Sequence, residues 1–492
     1  MTISLPRPLS SLPRALSART TAKPQSPPLP VGSRFLLPIL AFAGVFQAVL
    51  QTVMVPLLPS MPAFTGAGTT SVSWLITATL LVGAVVTPIF GRLADMYGKK
   101  RMLMVAFVIM TLGAVLCAVT SDIGLLIFAR GLQGVGGAVI PIGISILRDE
   151  LPPEKVHRAI AMMSSTLGIG TALGLPFAAA IAEYSHWHVL FWVIAAIGLA
   201  VTTAAALFIR ESAMRSGGRF DGVGAVGLTA ALVSLLVPIT QGSSWGWSSP
   251  AVLGMFASSV FLFALWGYQQ LRNRNPLIDL RVSARRSVLL PHGTALLVGF
   301  AFYGNALITT QLLQAPRSGA GYGLTILQAA VCQLPTSLSM IVFAQVGASV
   351  TARFGSKVTI LAGAVCLVAG YSLHAVPGKE LWLVITALGV AAIGTALVYS
   401  TLPMLIVRAA PATQMAAANG VNVLLRTMGT TMCSAVVASV LAAGVVGGSA
   451  TSGSFSLAYG VCAVLAVLVF AVSLALPGHD RAQKNVMEPL VT

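Results

Sequence analysis

Long apolar runs separated by short polar loops are the feature that most restricts how this 492-residue chain can fold. Each run is long enough to cross, as a helix, the roughly 30 Å hydrocarbon core of a bilayer. Charged residues make up 8% of the chain, too little polar surface to cover a soluble globule of this size. The sequence therefore predicts an all-α integral membrane protein. Predicted helices 1 to 14 cover residues 35–57, 71–92, 102–120, 123–147, 159–182, 188–209, 222–241, 251–270, 288–311, 325–347, 358–376, 381–406, 415–444 and 455–476.

The distribution of basic residues predicts the orientation of these helices. With both termini in the cytoplasm, 25 of the 29 Lys and Arg residues fall in inside segments and only Arg317 and Lys379 fall outside. The remaining two, Arg130 and Arg426, lie within apolar runs. Since basic loops are retained on the cytoplasmic side, this bias favours cytoplasmic termini. The net charge of +17 is spread over short loops rather than one face, which argues against a nucleic-acid partner.

The loop between predicted helices 2 and 3 reads GRLADMYGKKRM and covers Gly91 to Met102. Its glycines allow a tight turn, and its carboxylate can offset the positive amino-terminal end of a neighbouring helix. This pattern resembles the signature loop of the major facilitator superfamily, although Met96 stands where a basic residue is usual. The resemblance implies a gating loop that consists of Gly91, Asp95, Gly98, Lys99, Lys100 and Arg101.

A second copy of this loop indicates an internal repeat. Ala348 to Lys357, ASVTARFGSK, has Gly355 in the place of Gly98 and Ala352 in the place of Asp95. The resemblance thus implies the major facilitator fold, with two six-helix halves and two inserted central helices. The segments around Phe220-Asp221-Gly222 and Pro276 to Arg281 resemble the fourteen-helix drug:proton antiporter branch. The predicted division is a tail at 1–34, an N-terminal half at 35–210, a linker at 211–287, a C-terminal half at 288–477 and a tail at 478–492.

The first 34 residues are basic, rich in proline and free of acids, which predicts a disordered cytoplasmic tail. An organelle transit peptide is the alternative, since such leaders are also basic and poor in acids.

Predicted helix 4 carries a charge well inside the membrane. Arg130 lies seven residues into the helix, roughly 10 Å deep at 1.5 Å per residue, and cannot face lipid. Gln133 shares its face. The run resembles the superfamily's helix-4 motif, which implies a role for Arg130 and Gln133 in proton coupling or in the central cavity. The alternative is a structural arginine bonded to backbone carbonyls of a broken neighbouring helix.

Predicted helix 5 contains Gly170 and Gly174, a G-x-x-x-G face suited to close helix packing, and Pro176, which bends the helix. The stretch resembles the antiporter motif of the superfamily, although Leu175 stands where proline is usual. The resemblance implies export rather than uptake, while packing of two helices accounts for the glycines in either case.

Polar residues on two other predicted helices are candidates for the substrate cavity. Helix 1 offers Gln47 and Gln51, four residues apart on one face. Helix 13 offers Asn419, Asn422 and Arg426, also on one face, with Arg426 near the membrane midplane. Such groups can hydrogen-bond a substrate, but none of them is a carboxylate.

No acid lies deep in any predicted helix, so the nearest candidates for a carboxylate proton site are Asp122 and Glu183 at outer helix ends. Asp122 is also a natural N-cap for helix 4. The five cysteines lack paired spacing and the six histidines lack ligand spacing, so no disulfide framework or metal site is predicted. A phosphate-binding G-x-x-x-x-G-K-[ST] loop is also absent from the sequence.

These features predict a proton-driven efflux antiporter of the plasma membrane, with no cofactor beyond the proton gradient. Its expected partners are a small-molecule substrate, protons and membrane lipids, and the expected state is a monomer. Because the proposed cavity lacks acids, hydrophobic neutral or anionic compounds are the expected substrates. The alternatives are a major facilitator transporter of another solute or lipid, a membrane receptor without transport, or a membrane enzyme.

Overall fold

The fold is described from a computed structural model. The structure describes residues 32–57, 61–212, 215–217, 219–317, 320–376, 380–409, 414–446 and 449–476. Within this part of the chain, fourteen helices are long and apolar enough to cross a membrane, as the sequence predicted. Nearly all of the two predicted tails lies outside the described residues.

Helices 1 to 14, numbered by membrane crossing, keep the predicted order, and several extend beyond the apolar runs. Helix 4 is interrupted by one 3-10 turn at Val135–Ala138, and helix 10 is broken at Gln333. Their bounds are Gly32–Thr52, Thr69–Tyr97, Lys99–Val119, Ile123–Gly134 with Val139–Glu150, Pro153–Tyr184, Trp187–Phe208, Gly222–Trp245, Pro250–Arg272, Arg286–Gln314, Ile326–Cys332 with Leu334–Phe354, Ser356–Ala375, Leu381–Ala409, Met415–Ala443 and Ser452–Leu474.

Short elements join some of these helices. Short helices at Met54–Leu57 and Met61–Thr65 follow helix 1, and another at Leu280–Ser283 precedes helix 9. Strands β1 (Val445–Val446) and β2 (Ser449–Ala450) pair antiparallel between helices 13 and 14. We call the end of the bundle that carries the loops after helices 2, 4, 6, 8, 10 and 12 the basic face, because most Lys and Arg residues lie there.

Two large hydrophobic cores follow the two groups of six helices. The first fills the space among helices 1 to 6 and includes the ends of helices 12 and 13 at the basic face. The second lies among helices 9 to 14. The two groups meet mainly where helix 2 packs on helix 13 and helix 5 packs on helix 10.

Helices 7 and 8 form a hairpin that packs against helices 2 and 13. Asp221 organises this hairpin: its carboxylate accepts hydrogen bonds from the Gly224 N–H at 2.8 Å and from the Gln270 side chain at 2.7 Å. It also accepts one from the Leu277 N–H, beyond helix 8. Burial alone would raise the pKa of Asp221, but these hydrogen bonds outweigh burial and hold the pKa below its usual value. The Asp221 segment and the segment after helix 8, both noted in the sequence, are thus joined through one carboxylate.

Candidate functional site

Asp95 connects the two halves at the basic face. It lies near the end of helix 2, and its carboxylate accepts hydrogen bonds from the backbone N–H groups of Ala416 at 3.3 Å and Ala417 at 3.0 Å. Those are the first N–H groups of helix 13, which have no partner within their own helix. A carboxylate at this position also interacts favourably with the positive end of the helix dipole. Asp95 is 1% exposed, so the contact is shielded from water and closes the basic face.

Two glycines allow helix 2 to approach helix 13 closely enough for this contact. A Cβ atom on Gly91 would lie 2.7 Å from the carbonyl oxygen of Ala416, and one on Gly420 would lie 3.1 Å from the backbone of Pro88. Both distances are shorter than side chains tolerate comfortably. Gly91 therefore serves the packing that brings Asp95 to helix 13.

The basic cluster of the loop serves the N-terminal half itself. Lys99 is buried and forms an ion pair with Asp149 at 2.5 Å. The carboxylate of Glu211 accepts hydrogen bonds from the backbone N–H groups of Lys100 at 3.0 Å and Arg101 at 3.1 Å, and so caps helix 3. Gly98, at a φ of +117°, turns the chain directly against Glu211. Asp149 and Glu211 were not predicted as site residues, since nothing local in the sequence relates them to the loop.

Arg130 is buried within the N-terminal half. Its guanidinium donates hydrogen bonds to the carbonyl oxygens of Leu50 in helix 1 at 3.1 Å and Leu75 in helix 2 at 3.2 Å, and to the side chain of Gln133. Helix 1 is interrupted directly beyond Leu50, at Val53. Bonds to backbone carbonyls beside an interrupted helix are those that the structural alternative describes, and a role of Arg130 in proton coupling stays a prediction. Gln133 likewise contacts Cys117 inside the half, at 3.7 Å.

The glycine face of helix 5 also packs within the N-terminal half. A Cβ atom on Gly170 would overlap Ala48 of helix 1, and one on Gly174 would overlap Thr52. Pro176 lies inside helix 5, in a shallow pocket between the halves on the side away from the basic face. The glycines therefore set the distance between helices 1 and 5.

A small cavity lies between the two halves, and helix 13 supplies its polar wall. Asn419, Asn422 and Arg426 line it together with Tyr399 of helix 12. The guanidinium of Arg426 lies 5.1 Å from the centre of the Tyr399 ring, a cation–π distance. The hydroxyl of Tyr399 and the amide nitrogen of Asn422 are buried without a hydrogen-bond partner. No acid is among the residues that line this cavity.

The structure brings the helix 13 residues together but not the other predicted cavity residues. Gln47 is 3% exposed, packs near Gly136 of helix 4 and has an unpaired side-chain oxygen. Gln51 is exposed, and neither glutamine lines the cavity beside Asn422. Tyr399 was not predicted, because an aromatic residue in an apolar helix carries no signal that separates it from a core residue.

Of the two outer acids, only Asp122 has a side chain among the described residues. Asp122 is exposed and caps helix 4 by accepting a hydrogen bond from the Leu125 N–H at 2.8 Å, as the capping alternative predicted. The side chain of Glu183 lies outside the described residues. Over the part of the chain that the structure describes, no group of three or more potential metal ligands is found.

Comparison of the sequence with known protein families identifies the family of this chain. Residues 40–433 match the Major Facilitator Superfamily. The chain belongs to the major facilitator superfamily. Its fourteen spans and its relatives place it in the fourteen-helix branch of this superfamily, whose members are transporters and not enzymes.

Two relatives are exporters or resistance proteins by name. The multidrug resistance protein Stp of Mycobacterium tuberculosis is 29% identical over 408 residues, 81% of this chain and 74% of Stp. The tetracenomycin C resistance and export protein of Streptomyces glaucescens is 29% identical over 366 residues, 72% of this chain and 67% of the relative. This major facilitator is therefore a transporter related to multidrug and antibiotic efflux proteins.

A solved structure supports the same fold. The human organic anion transporter MFSD10 superimposes with a TM-score of 0.67 over 91% of this chain and 100% of MFSD10, at 14% sequence identity. At this identity the likeness is one of fold.

Proposed function

We propose that this transporter exports hydrophobic neutral or anionic compounds, rich in hydrogen-bond acceptors, in exchange for protons. The observation that carries the proposal is the polar wall of the cavity. Arg426, the Tyr399 hydroxyl and the Asn422 amide nitrogen all offer hydrogen-bond donors, and no carboxylate lines the cavity. Carbonyl, phenolate or carboxylate oxygens of a substrate would satisfy these donors, whereas a dication would find no counter-charge.

The contact of Asp95 with helix 13 supports a mechanism of alternating access. In the structure this contact closes the basic face between the halves. For a substrate to enter from that face, helices 2 and 13 must separate and the hydrogen bonds of Asp95 must break. Such a carrier would switch between a state closed at the basic face and a state closed at the opposite face. Asp95 would set part of the free-energy difference between these two states.

Related exporters support the direction and the substrate class. The name of the Streptomyces relative specifies export of tetracenomycin C, which we use as the test substrate. We further propose a monomer in the plasma membrane with both termini in the cytoplasm, so that the basic face is cytoplasmic. Reporter fusions after Ser248 and after Arg285 test this orientation, because the first should lie outside and the second inside.

The test is efflux of tetracenomycin C from cells that lack their own exporters. We expect the wild-type chain to lower the accumulated compound, and an uncoupler to abolish the effect. Arg426→Ala should reduce efflux by about tenfold or less, the loss of one charged hydrogen bond of roughly 1.5 kcal/mol. Arg317→Ala, which removes a cation outside the membrane helices, is the control and should leave efflux unchanged.

Two results would contradict this proposal. Efflux that persists in the presence of the uncoupler would show that transport is not driven by protons. Strong competition by a divalent quaternary ammonium compound, with no competition by acidic or neutral aromatic compounds, would show that the cavity does not select by its donors.

A further inference from the structure

His292 is a buried titratable residue that the sequence did not single out. It lies one residue after Pro291 in helix 9, is 3% exposed, and has no hydrogen-bond partner at either ring nitrogen. A buried polar group without a partner is costly, and such groups in native proteins often serve a function. The preceding proline removes one backbone hydrogen bond of helix 9, which makes bending at this point easier.

The register of helices 9 and 13 indicates that His292 lies at the level of the cavity residue Asn422. Further along the same pair, Gly299 lies against the backbone of Arg426, and Gly429 lies against Leu296 and Phe300. His292 shares its face of helix 9 with Gly299, and Asn422 shares its face of helix 13 with Gly429. Continuing this register two turns toward the basic face brings His292 and Asn422 onto facing surfaces.

Two unpaired groups therefore lie at the same level of this interface. The amide nitrogen of Asn422 is buried without a partner, and the residue lines the cavity between the halves. His292 belongs to helix 9, which packs against helix 13. A proton on His292 would thus change the electrostatics of the cavity wall without direct contact with the substrate.

The membrane helices of the C-terminal half offer His292 no counter-charge. None of helices 9 to 14 contains a carboxylate. A positive imidazolium buried there, with Arg426 on the facing helix, is disfavoured as long as the site stays closed to water. The titratable or charged groups on the elements around it are Arg286, Tyr303, Arg281, Cys332, Arg353, Lys357, Cys366, Tyr371, His374, Tyr399, Arg408, Arg426, Cys433, Tyr459 and Cys462, with Asp279 at the N-cap of the short helix Leu280–Ser283.

We propose that His292 is the proton-binding residue of the transport cycle. In the conformation described here its imidazole is buried and unpaired. Proton uptake requires water to reach this level of the interface, so protonation and the closed packing of these helices oppose each other. The inference rests on the proposed proton coupling, and it assigns to an imidazole the role that a membrane carboxylate would otherwise take.

One experiment needs no substrate. Hydrogen exchange at the imidazole C2 position, followed by mass spectrometry on the full chain in lipid nanodiscs, yields a titration curve for each histidine. We expect His292 to exchange, and to titrate within roughly pH 5 to 8 when helices 9 and 13 open to water, the range in which an imidazole changes charge. Absence of exchange at His292 over this whole range would show a purely structural residue and overturn the proposal.

A transport measurement separates coupling from folding. Tetracenomycin C movement into proteoliposomes is compared under an imposed pH gradient and as counterflow at equal pH. His292→Asn and His292→Gln should lose gradient-driven transport by at least about fivefold, the lower end of ordinary coupling between sites, and keep counterflow. His374→Asn, which alters the other deeply buried histidine of the C-terminal half, should keep both.

The outcomes also distinguish this inference from the proposed function. Gradient-driven transport in the wild type that both His292 variants retain in full would overturn the inference and leave proton-driven export intact. A wild-type protein that performs counterflow but ignores the gradient would instead contradict the proposed proton coupling.

Discussion

The two copies of the gating loop have the same backbone but different chemistry. Gly98 and Gly355 both turn the chain at positive φ, +117° and +88°. Lys100 donates a hydrogen bond to the carbonyl oxygen of Ala206 at the end of helix 6, and Lys357 donates one to that of Leu474 at the end of helix 14. The internal repeat is therefore retained in the turn and in the contact between each loop and the last helix of its half.

The difference lies at the contact between the halves. Asp95 is buried against the start of helix 13, while Ala352, in the corresponding place, is exposed and has no group that could cap helix 5. Helices 5 and 10 are held instead by small polar contacts nearer the membrane centre, such as the hydrogen bond from Gln345 to Ser165 at 3.4 Å. One of the two interfaces thus carries a charged contact, and the other consists of neutral packing.

The largest expected difference between the loops concerns the buried ion pair. Lys99→Met would leave the partly buried carboxylate of Asp149 without its cation, with only the hydrogen bond from Ser212, a loss of about 3 kcal/mol in the free energy of unfolding. The corresponding residue of the second loop is Ser356, whose hydroxyl is buried without a partner, so Ser356→Ala should be nearly neutral. Thermal unfolding in detergent measures both. Equal losses would show that the two loops do not differ in this way.

The next effect concerns the contact between the halves. Asp95→Asn keeps the shape but removes the charge, which should weaken the contact with helix 13 by about 1.5–3 kcal/mol and reduce efflux by roughly tenfold or more. Ala352→Asp should have little effect on efflux, because residue 352 is exposed. Asp122→Asn is the control, since asparagine also caps helices well. Wild-type efflux in Asp95→Asn at equal expression would contradict a role for the charge.

The smallest of the three effects concerns the turns. Gly98→Ala and Gly355→Ala each force a side chain into a region that favours glycine, at a cost of about 1–3 kcal/mol. Only at Gly98 would the new Cβ also meet a carboxylate, that of Glu211, at 2.7 Å. Gly98→Ala should therefore lower the melting temperature more than Gly355→Ala. The reverse order would show that Glu211 can move away without loss.

The sequence predicted the helices well because their signal is local. A run of apolar residues long enough to cross a bilayer strongly indicates a membrane-spanning helix. All fourteen runs are helices in the structure. The predicted ends were less accurate. Helix 5 was predicted from 159 and begins at Pro153, since backbone hydrogen bonds continue beyond the apolar run into polar sequence.

The site was only partly predictable because its partners are distant in the chain. The predicted tendency of Asp95 to offset a helix end is seen in the structure, but the sequence could not say that the helix is helix 13. Glu211 and Tyr399 lie in stretches without a motif, and only the fold brings them to the loop and the cavity. Arg130 shows the opposite case: its motif is clear, yet its hydrogen bonds are to two backbone carbonyls and to Gln133, all within one half.

The central claim is that the Asp95 carboxylate holds the basic face closed. It can be tested by the distance between spin labels at Tyr97, the end of helix 2, and Ala409, the end of helix 12, measured by double electron–electron resonance in nanodiscs. The account predicts a mainly short distance in the wild type and a substantial population at longer distance in Asp95→Asn. A second label pair at Glu154 and Phe354, across the interface of helices 5 and 10, should lengthen together with the first if the halves move as units. Identical distance distributions in the wild type and in Asp95→Asn would contradict the claim.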